Sequence, residues 1–292
     1  MAVIERLVQA NAQADRAHSQ AAVLKAAETG NVELLKLLLQ NDKTLINDVN
    51  ENQETVLLLA CKNGNEAVVS YLLEQADIDL NKADSITGSL AGTPLNWAIK
   101  GGYKTIVIRL LEKEAQIKIP GQNKYLGIHE AAKNGNLEII QLLIQKDPAL
   151  LNALDHYNQT PLLWAASRGH FAVVDWLLKQ EGIEKDIATN PGNGDTKYKN
   201  WTALNWAVAN GDMAVIERLV QADAQADRVH SQAAFLKAAE TGNVELLKLL
   251  LQNDKTLIND VNENQETVLL LACKNGNEAV VSYLLEQADI DL

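Results

Sequence analysis

Residues 160–174 read Thr160-Pro161-Leu162-Leu163-Trp164-Ala165-Ala166-Ser167-Arg168-Gly169-His170-Phe171-Ala172-Val173-Val174. This order of residue types predicts two short helices with a sharp stop between them. Proline suits a first helical turn, because its missing N–H would have no partner there. The preceding threonine can offer its side-chain oxygen to the free N–H groups of that turn. Gly169 ends the helix by accepting a left-handed conformation. Beyond it, apolar residues return at helical spacing from Ala172 to Lys179.

The same order recurs along the chain. Val32 to Gln40, Ala67 to Glu74, Thr105 to Glu112, Leu137 to Gln145 and Ala214 to Gln221 repeat the second stretch, often with a Leu-Leu pair. Each follows a glycine. Gly30, Gly64, Gly102, Gly135, Gly169, Gly211, Gly242 and Gly276 are separated by 34, 38, 33, 34, 42, 31 and 34 residues. A fixed period of this length marks a unit that buries its apolar face only by stacking on its neighbours. A longer period contains the short one. Residues 1–80 recur as 213–292 with 77 of 80 identities, and the differences are Asn11/Asp223, Ala17/Val229 and Val23/Phe235. Such identity follows from recent duplication or from engineering. The smaller apolar residues of the first copy fit a terminal unit with a less apolar outer face.

The openings of the first helices identify a family resemblance. Thr93-Pro94-Leu95-Asn96-Trp97-Ala98, Thr160-Pro161-Leu162-Leu163-Trp164-Ala165, Thr202-Ala203-Leu204-Asn205-Trp206-Ala207 and Thr55-Val56-Leu57-Leu58-Leu59-Ala60 resemble the ankyrin signature Thr-Pro-Leu-His-x-Ala-Ala. Gly169-His170-Phe171-Ala172-Val173-Val174 resembles its following Gly-His-x-x-Val-Val. The signature His is replaced in every Thr-led repeat, and the repeats led by Ala21 and Ala233 lack the Thr-Pro pair. The resemblance implies an all-α solenoid of helix–turn–helix units with projecting β-turn or hairpin fingers. It implies one continuous domain over 1–292: half a repeat, then eight full repeats, with both ends cut from a longer array. It also implies a protein-binding, non-enzymatic scaffold without cofactors. Leu73 to Asn81 resembles the pattern at which ankyrin hairpin asparagines are hydroxylated, which makes Asn81 a candidate modification site. The Asn-, Gln- and Leu-rich repeats are similar in style to ankyrin proteins of intracellular bacteria, some of which act in a host cytosol.

Composition narrows the function classes. With 47% hydrophobic residues the chain can bury a large core. The formal charge of −12 and the absence of a dense Lys/Arg block argue against nucleic acid as a partner. No apolar run reaches the roughly 20 residues a bilayer needs, and Glu5-Arg6 stands where a signal peptide needs an apolar stretch. Cys61 and Cys273 are too few for a disulfide framework, which favours a reducing, cytoplasmic location. There is no Gly-x-Ser-x-Gly, His-Glu-x-x-His or Cys-x-x-Cys. The five histidines are scattered over unrelated repeat positions, so no metal is expected. Asn190-Pro191-Gly192-Asn193-Gly194-Asp195 lacks the acidic alternation of a calcium loop and reads as a turn-rich finger.

Candidate contact residues come from three places. The interval of 42 carries its extra residues between Gly182 and Asn200, and brings Tyr198, Lys199 and Asn200 beside Trp201. Insertions in such arrays gather on the loop face, which is often the binding face. Trp201 stands where other repeats have Glu54, Gly92, Gln159 and Glu266, so it is either an exposed anchor or packed on its own loop. By contrast Trp97, Trp164 and Trp206 share one register and read as interlayer packing. The finger residues His156, Tyr157 and Gln159 lie upstream of the same insertion. The ends of the first helices carry Lys62, Asn63, Lys100, Lys133, Asn134 and Arg168, a basic stripe suited to an acidic segment. A second reading is a structural array whose cut ends associate head to tail.

Overall fold

The computed structural model describes residues 16–85, 92–118, 127–190 and 200–291, apart from Gln225 and Glu263. The chain divides into two compact units, Met1–Pro148 and Ala149–Leu292. Sixteen α-helices, eight in each unit, and three short 3-10 helices are present among the described residues, and no strand. Unit 1 holds α1 (Arg16–Thr29), α2 (Val32–Asn41), α3 (Val56–Lys62), α4 (Glu66–Leu72), α5 (Pro94–Gly101), α6 (Lys104–Glu112), α7 (Gly127–Lys133) and α8 (Leu137–Lys146). Unit 2 holds α9 (Pro161–Ser167), α10 (Phe171–Leu177), α11 (Ala203–Asn210), α12 (Met213–Gln221), α13 (Arg228–Thr241), α14 (Val244–Asn253), α15 (Val268–Lys274) and α16 (Glu278–Leu285).

Local chemistry sets the helix bounds. Thr55, Thr93, Thr160, Thr202 and Thr267 each accept, through the side-chain oxygen, the N–H three residues on. Pro94 and Pro161 occupy the first turn. Gly102 closes α5 at φ +72°, a left-handed conformation that costs a side chain strain.

The helices pair antiparallel within a repeat and stack between repeats. In unit 1 the first helices pack in the order α1, α3, α5, α7 and the second helices in the order α2, α4, α6, α8. In unit 2 the two rows are α9, α11, α13, α15 and α10, α12, α14, α16. Each interlayer core is aliphatic: Leu57, Leu58, Val68, Leu72, Leu95, Ile99, Ile106 and Leu110 are fully buried or nearly so in unit 1. Val23 and Phe235, which differ between the duplicated segments, are both fully buried in their own units.

The expected fingers are tight turns, with isolated bridges at Val49–Thr55 and Val261–Thr267. Asn50 Oδ1 holds one finger by accepting the N–H groups of Asn52 and Glu54. Asp155 Oδ1 does the same for Tyr157 and Gln159. One element differs from the expected pattern. The helices α1 and α13, in the repeats without Thr-Pro, have 14 residues where the Thr-led helices have seven or eight. Asp227 caps α13 by accepting the His230 N–H, and Arg228 bonds Asp260 on the finger side of its own repeat. The helix therefore begins upstream of Ala233.

Candidate partner-binding surface

In unit 1 the ends of the first helices present the basic residues, but their charge is partly spent inside the chain. Lys62 is half-buried, with Nζ 2.6 Å from Glu54 Oε1 and 4.6 Å from the centroid of the Trp97 ring. Lys100 Nζ lies 4.5 Å from the same ring. Both ammonium groups are thus held on one indole by its quadrupole. The indole N–H donates to Asp84 Oδ2 at 2.8 Å. Burial alone would raise the Glu54 carboxyl, but the hydrogen bonds from Lys62 and Asn50 outweigh it and hold the group below the usual carboxylate range. Lys133 pairs with Glu130 at 3.8 Å. Asn63 donates to Leu59 O, and Asn134 donates to Lys100 O in the preceding repeat. Between α1, the finger 49–54 and α3 runs a groove of about 840 Å³ lined by Gln20, Ala21, Leu24, Asn52, Leu59 and Lys62 among others.

Asn81 is half-buried, and its Oδ1 accepts the Gln116 N–H at 2.8 Å. It is one member of a recurring link. Asn47, Asn152 and Asn259 each use both ends of the carboxamide on the chain about 30 residues later, Asn47 on Asp77 O and Asp79 N.

Unit 2 brings part of the other candidates together. His156 and Tyr157 sit at a finger tip with ring centroids 3.9 Å apart. Tyr157 is 43% exposed, and its neighbour Leu154 is 41% exposed. Gln159 is half-buried, and its backbone closes the finger on Asp155. Asp155 is fully buried, and its second oxygen accepts the Trp164 indole N–H. The finger is therefore fixed to α9 at its base while its aromatic tip faces solvent.

Trp201 packs against two aromatic rings of unit 2. It is half-buried, with ring centroids 4.9 Å from Trp206 and 4.7 Å from His230. Thr189 ties down its backbone: the Thr189 N–H donates to Trp201 O, and the Trp201 N–H donates to Thr189 Oγ1. Asn200 is exposed at φ +62°, and its N–H donates to Thr189 O. The base of the long insertion is thus pinned next to the finger, where the Asn190 N–H donates to Tyr157 O. Tyr198 and Lys199 lie outside the described residues. Arg168 is exposed at the end of α9.

Sequence reasoning missed the exposure of Leu154 and the neutralisation of Lys62. The first carries no periodic signal. The second was readable as Glu54, eight residues before Lys62 across a finger and a short helix.

The family model described as ankyrin repeats (3 copies) matches residues 2–84, 24–121, 95–189, 128–229 and 204–292. The chain is 29% identical over 172 residues to the palmitoyltransferase AKR1 of Lachancea kluyveri, covering 57% of this chain and 22% of that protein. It is 28% identical over 267 residues to the ankyrin repeat and KH domain-containing protein mask-1 of Caenorhabditis elegans, covering 90% of this chain and 8% of that protein. It is 31% identical over 135 residues to the probable 26S proteasome regulatory subunit p28 of Saccharomyces cerevisiae, covering 46% and 58%. The chain thus spans less than two thirds of the length of each of these curated relatives, from 8% to 58%. Among solved structures, the human ASB11 ankyrin repeat domain superposes with a TM-score of 0.58 at 23% identity, covering 90% of this chain and 96% of that one. A chain in the structure of the Bd0816 predatory endopeptidase of Bdellovibrio bacteriovorus with immunity protein Bd3460 also gives 0.58, at 24% identity and covering 68% and 97%. With the repeat motif, the stacked helix pairs and the family matches in agreement from end to end, the chain belongs to the ankyrin-repeat family.

Proposed function

We propose that this chain is a non-enzymatic scaffold that binds another protein through its fingers and the ends of its first helices. Ankyrin repeats generally mediate protein–protein interaction and are typically not catalytic. The observation that carries the reading is the finger of unit 2. Its aromatic tip is exposed at Leu154 and Tyr157, while its base is fixed through the buried Asp155. A side chain displayed on a fixed turn loses little freedom on binding, so most of the contact energy is kept. Aromatic residues in such positions are common binding anchors. In unit 2, Arg168, exposed at the end of α9, is the basic group that would meet an acidic segment.

The repeat period runs without a break across residue 148, with 34 residues from Gly135 to Gly169, which supports reading 1–292 as one continuous array. Both thiols are free, in keeping with a cytosolic location. No helix among the described residues is long and apolar enough to cross a membrane. The test is quantitative capture from cytosolic lysates with the intact chain and a Leu154→Ser, Tyr157→Ser variant. A protein held by the first, lost with the second, and then shown to bind directly in purified form supports the reading. A binder that the variant holds equally well moves the site off the finger.

A further inference from the structure

Within unit 2 a cavity of about 280 Å³ lies between the α11–α12 pair and the α13–α14 pair. Leu204, Val220, Leu250 and Leu257 form its walls, and none is more than 4% exposed. The linker between α12 and α13 borders it with two small residues, Ala224 and Ala226. In unit 1 the chain leaving α6 takes the same course as this linker. Ala115 donates its N–H to Leu110 O and Ala224 donates its own to Leu219 O, each at 3.0 Å. The residue before each alanine is left-handed, Glu114 at φ +63° and Asp223 at +57°. Two residues after the alanine, unit 1 has the half-buried Ile117 where unit 2 has Ala226. The linker of unit 2 thus lacks the larger apolar side chain that its equivalent carries, and the space at that point stays open.

We propose that this cavity is a binding site for a small uncharged amphipathic molecule, a short aliphatic chain with a hydroxyl or carboxamide head. The aliphatic walls suit an apolar body, and apolar walls with a few polar groups at the mouth are the usual make-up of a ligand site. At roughly 30 Å³ per heavy atom, the share of a water in the liquid, the space takes about nine such atoms. The more exposed lining residues are polar: Ser231 and Asp254 are half-buried, and Arg228 and Asn253 are exposed. The charges among them are matched within the chain, with Arg228 2.8 Å from Asp260 and 3.5 Å from Asp254. An anionic head would meet the two carboxylates and a cationic head the guanidinium, so either would bring a charge without a counter-ion, which is costly. An uncharged head meets the Ser231 hydroxyl and the Asn253 carboxamide at no such cost.

The site is tested on the full chain by titration with n-hexanol, hexanoate and hexylammonium, read by the methyl resonances in NMR and by thermal unfolding. The alcohol shifts the methyls of Val220, Leu250 and Leu257 to saturation. It also raises the unfolding midpoint, because a ligand that binds only the folded chain stabilises it. Both charged probes bind roughly tenfold more weakly or worse, since each brings an unpaired charge to the rim. Ala226→Ile gives the linker the side chain that its unit 1 equivalent carries, so binding is lost and the midpoint does not fall. Ser231→Ala weakens the alcohol about threefold to tenfold, the worth of one hydrogen bond. That variant covers the case in which Ala226→Ile disturbs the fold. Absence of saturation overturns the proposal. So does alcohol binding that first shifts methyls of other layers, that survives Ala226→Ile, that Ser231→Ala leaves unchanged, or that a charged probe matches.

Discussion

The Asn65 side chain occupies the space that a Cβ on Gly30 would need, with its Oδ1 2.8 Å from that position. Asn65 stands just before α4 but gives α4 no side-chain cap. Its Nδ2 reaches back one repeat and donates to Ala27 O at 2.7 Å and Glu28 O at 2.9 Å. Those carbonyls are among the groups that a helix end leaves without partners. The glycine is required twice over, by φ +75° and by the close approach of the next repeat. Gly30→Ala is expected to cost about 1–3 kcal/mol, the usual range for a residue held in a left-handed conformation plus crowding. Asn65→Ala should cost about 1–2 kcal/mol through the unmet carbonyls. Urea unfolding of the two variants measures both. Gly242 and Asn277 repeat the arrangement in unit 2, so Gly242→Ala should lower stability as well. A Gly30→Ala chain as stable as the parent would show that the next repeat does not close on this turn.

The two cysteines report on which faces are covered. Cys61 is fully buried, and burial pushes its thiol well above the ordinary range, while Cys273 is exposed. A maleimide or aromatic disulfide reagent should label one thiol per chain rapidly at mild alkaline pH. Mass mapping should place that label on Cys273. Cys61 should react only when the chain is unfolded in urea. Equal rates at the two sites would mean that α5–α6 does not cover α3–α4.

The helix pairs were legible in the sequence because their signals are local: a capping Thr, a Pro in the first turn, a glycine stop. The longer α13 was less so, since its start depends on Asp227 capping and on Arg228 reaching Asp260 in the following finger. The loss of the signature His was readable only as a departure. The structure supplies its replacement: buried Asn205 donates to Asp227 Oδ2 at 2.9 Å and so reaches the next repeat. The basic stripe was legible as residues and not as a surface. Pairing of Lys62 with Glu54 and Trp97 depends on a finger folding back and on the following repeat, neither of which helical spacing encodes. The two alternatives for Trp201 were posed by its counterparts in register, whereas its packing on Trp206 and His230 depends on two helices that helical spacing does not bring to it.

Glu54 links finger stability to pH. Its folded-state carboxyl lies below the usual range, because the bonds from Lys62 and Asn50 outweigh the burial that would raise it. A lowered folded value means that the stabilisation is fully present above the unfolded value and is lost as pH falls through the folded one. Glu54→Gln should therefore cost about 1–2 kcal/mol at neutral pH, the scale of a hydrogen bond to a charged partner. The difference should shrink towards zero in strong acid. Glu266 makes the same bonds to Lys274 and Asn262 in a more exposed setting, so Glu266→Gln should have the smaller effect. Urea midpoints of the two variants at neutral and acid pH check the order and the sign. A Glu54→Gln deficit that persists unchanged in acid would make it a packing effect.

Trp201 separates anchoring from binding. Its ring meets Trp206 and His230 edge-on, and its backbone is tied to Thr189 at the base of the long insertion. Each such aromatic pair is worth about 0.5–1.5 kcal/mol beyond burial. His230 is further held by Asp227, whose carboxyl is kept low because the His230 hydrogen bonds outweigh the burial that would raise it. Trp201→Ala should therefore destabilise the chain by about 2–3 kcal/mol, from two aromatic contacts and the lost burial. Tyr157→Ala, at an exposed tip, should leave stability within about 0.5 kcal/mol of the parent. Thermal unfolding of both variants, followed by capture of whichever partner the intact chain binds, separates the two roles. Loss of capture with unchanged melting in Trp201→Ala would make Trp201 a contact residue rather than the pin that holds the loop.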